Sequence, residues 1–250
     1  MPEPAVTAGL LVIGDEILSG RTKDRNIGTI ADRLTAIGIA LREVRVVADV
    51  EAAIVEAVNG LRTRYTYVFT TGGIGPTHDD ITADSIAKAF GVGIAVDPRA
   101  VAIMEPAYAK RGIALNAARL RMARIPEGAE LIANDVSVAP GFRIGNVIVM
   151  AGVPAIMESM LTSATATLDT GQKVLSASIM VAHAEGEIAD LFAAHQAEWP
   201  GVAMGSYPTF KDGHYATDLV LRCADASDLA AAREGLRRKL AAGGFHFITP

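Results

Sequence analysis

Thr70-Thr71-Gly72-Gly73-Ile74-Gly75-Pro76-Thr77-His78-Asp79-Asp80 follows an apolar run, Tyr65 to Phe69, that reads as a buried strand. Three glycines within four positions free the backbone to turn sharply and to approach a ligand closely. Their N–H groups, unshielded by side chains, can line a concavity suited to an anion. Thr70, Thr71 and Thr77 add hydroxyl donors, and Asp79 and Asp80 close the stretch with adjacent carboxylates. Carboxylates beside a phosphate site point to a divalent cation with oxygen ligands. Thr82 is placed to cap a helix through Ala83 to Phe90, with Gly91 past its end. The order suits a phosphorylated ligand, and the spacing alone also fits a plain β–α turn. No Lys-Ser/Thr follows, so the stretch is not a Walker A loop, and the third glycine of the dinucleotide fingerprint is absent.

Outward from this stretch the chain alternates strands and helices. Leu10–Ile13 reads as a strand ending in Gly14-Asp15-Glu16, Asn26–Leu34 as a helix stopped by Gly38, and Ile39–Val47 as a second strand. Asp49 stands where the next helix begins, either as its N-cap or as an acid presented at the carboxyl end of a strand. Asp97-Pro98 starts a helix to about Arg111. Asn116–Arg124 reads as a helix with Arg119, Arg121 and Arg124 on a basic face. Glu130–Ala133 and Val147–Ala151 read as strands, and Gly152-Val153-Pro154 turns the second into a helix from about Ala155 to Thr167. This pattern predicts a mostly parallel sheet covered on both faces, a three-layer αβα domain over residues 1–170. On such a sheet the acids Asp15, Glu16, Asp24, Asp49, Asp79 and Asp80 share one edge, where they repel one another unless a metal or ligand offsets the repulsion.

The rhythm breaks around Ala166 to Lys173. Residues 171–250 then read as a small α+β domain of βαββα order, with a hairpin signal at Lys211-Asp212-Gly213. Cys223 is the single cysteine, which excludes an intrachain disulfide or a cysteine zinc cluster. The net charge of −5 argues against a general nucleic-acid binder. No apolar run is long enough to span a bilayer, and no signal peptide is evident. A cytoplasmic protein is the expectation. The histidines, His78 included, show no metal spacing.

Two segments carry a resemblance: Gly14-Asp15-Glu16-Ile17-Leu18-Ser19-Gly20 with Asp24 and Asn26, and Thr71 to Thr82. Together with Pro140-Gly141-Phe142 and Gly152-Val153-Pro154, they resemble the competence/damage-inducible CinA family and, more broadly, the molybdopterin-binding domain of MogA and MoaB type. Residues 171–250, with Gly205-Ser206-Tyr207-Pro208, are similar to the KH-like middle domain of CinA.

The resemblance implies a domain that holds the phosphate end of a pterin or dinucleotide and hydrolyses a pyrophosphate bond in ADP-ribose or, as in flavin-enzyme relatives, FAD. It puts Asp49 and Asp80 in catalytic positions and Asp79 and Asp80 at a Mg²⁺-like ion. Thr71, Gly72, Gly73, Gly75, Thr77, Gly14, Asp15, Glu16, Asn26 and Gly152 fall at the ligand. The other expectation is a non-catalytic molybdopterin or nucleotide binder. A homo-oligomer is implied by the family alone. RNA contact by the KH-like unit is disfavoured, since the clamping Gly-x-x-Gly loop is absent. The chain stops at Pro250, and the deamidase activity of full-length CinA is not carried over. Two positions depart from the family: Ile156 stands where a glutamate is common, and Ala151 replaces the usual proline. If the family's glutamate acts on metal or water, its absence here is expected to leave hydrolysis weak.

Overall fold

A computed structural model describes residues 6–211 and 213–248. Backbone contacts separate two units, Met1–Gly171 and Gln172–Pro250. The first contains β1 (Thr7–Ile13), α1 (Asp15–Leu18), α2 (Asn26–Ala36), β2 (Ala40–Val47), α3 (Glu51–Arg62), β3 (Tyr67–Thr71) and α4 (Thr82–Phe90). It continues with β4 (Ile94–Val96), α5 (Pro98–Lys110), α6 (Ala117–Leu120), a 3₁₀ turn (Arg121–Ala123), β5 (Arg124–Pro126), β6 (Glu130–Ile132), β7 (Gly141–Ile144), β8 (Val147–Met150) and α7 (Pro154–Thr165).

Six strands form one sheet in the order β2-β1-β3-β8-β7-β6. The four strands β2, β1, β3 and β8 are parallel, while β7 and β6 are antiparallel. The central strands are apolar because both faces are covered. Leu11 and Ile13 join Val68, Val147 and Val149 in a core against α3, α4 and α5. Leu10 and Val12, one residue out of phase, join Phe69, Ile148 and Met150 against α2 and α7. The three-layer expectation therefore holds, and the alternation of side chains along single strands divides the two cores.

Parallel pairing has a direct consequence for the loops. Register sets Val12 beside Thr71 and Val46, and Thr71 beside Met150. The segments that leave these strands, beginning at Gly14, Ala48, Gly72 and Ala151, thus emerge along one sheet edge, where open α/β sheets hold their ligands.

Several local expectations are corrected. Thr82 is not the cap of α4: it is the first helical residue, buried, and its Oγ1 donates to Gly72 O at 3.0 Å. Asp49 is not the cap of α3, whose N-cap position is Val50. The helix expected over Asn116–Arg124 ends at Leu120, and Arg124 begins β5, which pairs with β4. Asn116 does cap α6, accepting from Arg119 N at 3.0 Å. Asp97 caps α5 as expected, accepting from Arg99 N at 2.7 Å, and Gly91 ends α4 in the left-handed region at φ 68°.

The second unit has the expected βαββα order: β9 (Leu175–Val181), α8 (Glu185–Glu198), β10 (Ala203–Lys211), β11 (His214–Cys223) and α9 (Ala226–Ala242). Its antiparallel sheet runs β10-β11-β9, packed on its helices through Ile179, Leu219, Leu221 and Leu236. Lys211 pairs with His214 at the hairpin; Asp212 lies outside the described residues. Cys223 is a buried free thiol. His195 is buried in this core with Nε2 at 2.8 Å from Ala232 O. Among the described residues no helix is long and apolar enough to cross a membrane.

Candidate functional site

The glycine turn is fixed by what surrounds it. Gly72 has φ 104°, and a Cβ there would lie 2.0 Å from Ile13 O, so the backbone of β1 excludes any side chain. Gly73 has φ 65°, and a Cβ would lie 2.2 Å from Thr82 Oγ1. The N–H of Gly72 donates to Met150 O at 3.2 Å and is spent on the sheet. The N–H groups of Gly73, Ile74 and Gly75 have no acceptor among the described residues. Three successive main-chain donors, next to the N-terminus of α4, form the kind of concavity that attracts an anion. The donor set is therefore Gly73 to Gly75, shifted one residue along from the Gly72 that the sequence suggested.

The expected hydroxyl donors separate. Thr77 uses both its N–H, at 2.8 Å, and its hydroxyl, at 2.5 Å, on Asp80 Oδ2, so its protons hold the acid in place instead of facing a ligand. Thr70 and Thr71 are both buried in adjacent positions of β3 and point to opposite faces. Thr70 Oγ1 has no partner among the described residues. Thr71 lines a small annex with Lys23, Asp24, Asn26 and Gly152.

Both catalytic candidates reach the same turn. A Cβ on Gly73 would lie 3.5 Å from Asp49 Oδ1, and one on Gly75 would lie 2.6 Å from Asp80 Oδ2. Asp49 is held by the Asp15 N–H at 2.9 Å. Burial pushes the Asp49 carboxyl above the ordinary aspartate value, and the charges of Asp15, Glu16 and Asp79 add to this, against the Asp15 N–H. Asp79 is exposed, with His78 Nδ1 at 4.0 Å from its Oδ1. Arg121 donates through Nη2 to Asp80 O at 3.2 Å, and Arg124 pairs with Asp84. Of the three arginines read as a basic face, Arg121 contacts the acidic loop, Arg124 pairs with a residue of α4, and Arg119 donates to Ala114 O at 2.7 Å.

A cleft of about 490 Å³ opens beside the turn. Its polar rim is Glu16, Thr22, Gly72 to Gly75 and Asp80, and its other wall is Met122, Ala139, Pro140, Val153, Ile156 and Met160. Of the rim, the sequence identifies Glu16, Gly72, Gly73, Gly75 and Asp80, but not Thr22. Of the far wall it singles out Ile156 and the Pro140-Gly141 and Gly152-Val153-Pro154 turns, but not Met122, Ala139 or Met160.

Among the described residues, no three carboxylate, imidazole or thiolate groups converge as a metal-binding cluster. These residues alone offer no cage. Among the described residues, Oδ1 of Asp49 and of Asp80 takes no hydrogen bond, leaving one open oxygen on each acid. The Asp80 oxygen suits a Mg²⁺ held by one or two carboxylates together with substrate phosphates and water, and the Asp49 oxygen is free to take a proton.

Comparison with known proteins bears on the fold and the family. The family described as the probable molybdopterin binding domain matches residues 9–170, and the FAD synthase middle domain matches residues 173–247. A CinA-like protein of Desulfosudis oleivorans is 34% identical over 209 residues, 79% of this chain and 51% of its own length. A protein of Metallosphaera sedula is 38% identical over 162 residues, 63% of this chain and 61% of its own. The chain spans about three fifths of the length of the curated relatives it first matches. The crystal structure of CinA from Thermoplasma acidophilum, described as of unknown function, is 36% identical with a TM-score of 0.59, covering 65% of this chain and 97% of that one. The chain belongs to the probable molybdopterin-binding domain family, in its CinA-type form with a MogA/MoaB-like α/β domain.

Proposed function

We propose that the Met1–Gly171 unit binds a dinucleotide of the ADP-ribose or FAD class and hydrolyses its pyrophosphate with Mg²⁺. The observation that carries this reading is the juxtaposition of three uncommitted amides, Gly73 to Gly75, with an apolar cleft. The amides suit phosphate, and the wall of Ile74, Met122, Pro140 and Val153 suits a flat ring. Asp49, with its raised proton affinity, takes a proton from the attacking water. Water oxygen bonds to one phosphorus, the bridging P–O bond breaks, and two monophosphates leave. Amide donors of the turn stabilise charge that grows on the phosphoryl oxygens. Asp79 and Asp80 would hold the ion, which when bound neutralises phosphate charge and polarises the reacting phosphoryl group.

A second reading is a non-catalytic binder or carrier of molybdopterin. One observation favours it: apolar Ile156 lines the cleft where the family commonly has a carboxylate. Assaying AMP release from ADP-ribose and FAD, with and without Mg²⁺, separates the two. Metal-dependent release supports hydrolysis. No release, with saturable pterin binding, supports the carrier.

A further inference from the structure

The loop entering α2 divides its work between two side chains. Asp24 Oδ1 accepts from the N–H of Ile27 at 2.8 Å and closes the first helical turn. Asn26 is left for another task. It is 5% exposed. Its Nδ2 donates to Gly152 O at 2.8 Å, which settles the orientation of the amide, since only the nitrogen can donate. Its Oδ1 is then buried and has no donor among the described residues. Leaving a buried acceptor unpaired carries a desolvation cost, so such an atom calls for an explanation. Asn26 also lines the annex of about 60 Å³ next to Thr71. The annex adjoins the main cleft, sharing Glu16, Thr22, Gly152 and Pro154 with it.

An amide oxygen accepts hydrogen bonds and cannot donate one. Pyrophosphate-diester oxygens carry no proton at neutral pH and give it nothing. We infer that Asn26 Oδ1 accepts from an O–H or N–H on the non-phosphate part of the ligand, making Asn26 a specificity-determining residue and not a phosphate contact. This rests on the reading that the ligand's phosphates occupy the Gly73 to Gly75 amides. Two ligand groups offer such a donor beside a pyrophosphate: a ribose hydroxyl and the exocyclic amine of a base.

The test is equilibrium binding to the full chain by calorimetry, in Mg²⁺ and again in chelator. The probes are inorganic pyrophosphate, ADP-ribose, an ADP-ribose lacking ribose hydroxyls, and the inosine analogue lacking the adenine amine. Wild-type protein is expected to bind one of the two analogues about tenfold more weakly than ADP-ribose, and that analogue identifies the donor. Asn26→Ala is expected to weaken ADP-ribose by about tenfold while leaving pyrophosphate unchanged. Both analogues binding wild type as tightly as ADP-ribose would overturn the inference, and so would an Asn26→Ala loss as large for pyrophosphate as for ADP-ribose. The wild-type arm needs no variant to fold. Pyrophosphate that fails to bind wild type at all overturns the phosphate reading itself, and this inference with it.

Discussion

The backbone N–H of Asp15 donates to Asp49 Oδ2 at 2.9 Å, so the loop after β1 grips the acid that follows β2. The bond leaves Oδ1 beside Gly73. If Asp49 is the base, Asp49→Asn keeps the accepting oxygen and loses the proton acceptor. Mg²⁺-dependent AMP release from ADP-ribose should fall by about 100-fold or more, with little change in KM. An equal rate in the variant would remove Asp49 from the chemistry.

The same residue makes a stability prediction. Asp49 binds its proton more tightly folded than unfolded, mainly because burial disfavours the anion. Its contribution is fully favourable only below the ordinary aspartate range, and it is lost as pH rises through the raised folded value. Asp49→Asn removes this titration. The variant should therefore melt above wild type at about pH 8, and the gap should close towards about pH 3. A variant that melts lower at about pH 8 contradicts the assignment.

Thr77 aims Asp80 through two bonds to one oxygen, at 2.8 and 2.5 Å. Thr77→Val removes the hydroxyl bond alone. Because the residue is exposed, thermal stability should change little. Turnover should drop by about tenfold, the loss expected for one hydrogen bond to a charged group.

Gly72 sits against β1 so closely that a methyl group has no room: 2.0 Å separates its position from Ile13 O. Gly72→Ala should destabilise the protein by about 3 kcal/mol or more in urea denaturation, through backbone displacement as well as an unfavourable φ.

Ile156 gives a gain-of-function test. It lines the cleft, so Ile156→Glu brings a carboxylate into the cavity. Metal-dependent turnover should rise roughly tenfold or more if a glutamate there acts on metal or water. Unchanged turnover would remove position 156 from the chemistry.

What was legible in the sequence follows from how local each signal was. Buried β1, β3 and β8 announce themselves as continuous apolar runs, and the acids beyond them follow from parallel connectivity. β7 did not, because four residues from Gly141 to Ile144 form a strand only by pairing with β8 and β6. The stretch at Asn116–Arg124 is α-helical only to Leu120, with a 3₁₀ turn to Ala123, because Arg124, Ile125 and Pro126 are drawn into β5, which pairs with β4. At the site, the glycines and acids were readable because they are contiguous. The diversion of Thr77, the use of Gly72 N–H in the sheet and the wall from Met122 to Met160 depend on partners distant in sequence or on backbone direction, which spacing does not encode.

The most direct test of the central claim is an NMR titration of ¹⁵N-labelled protein with pyrophosphate. If the turn holds phosphate, the amide resonances of Gly73, Ile74 and Gly75 should move downfield and saturate together, while that of Gly72, already bonded to Met150 O, should move far less. Saturable pyrophosphate binding that leaves those three resonances in place would contradict the account.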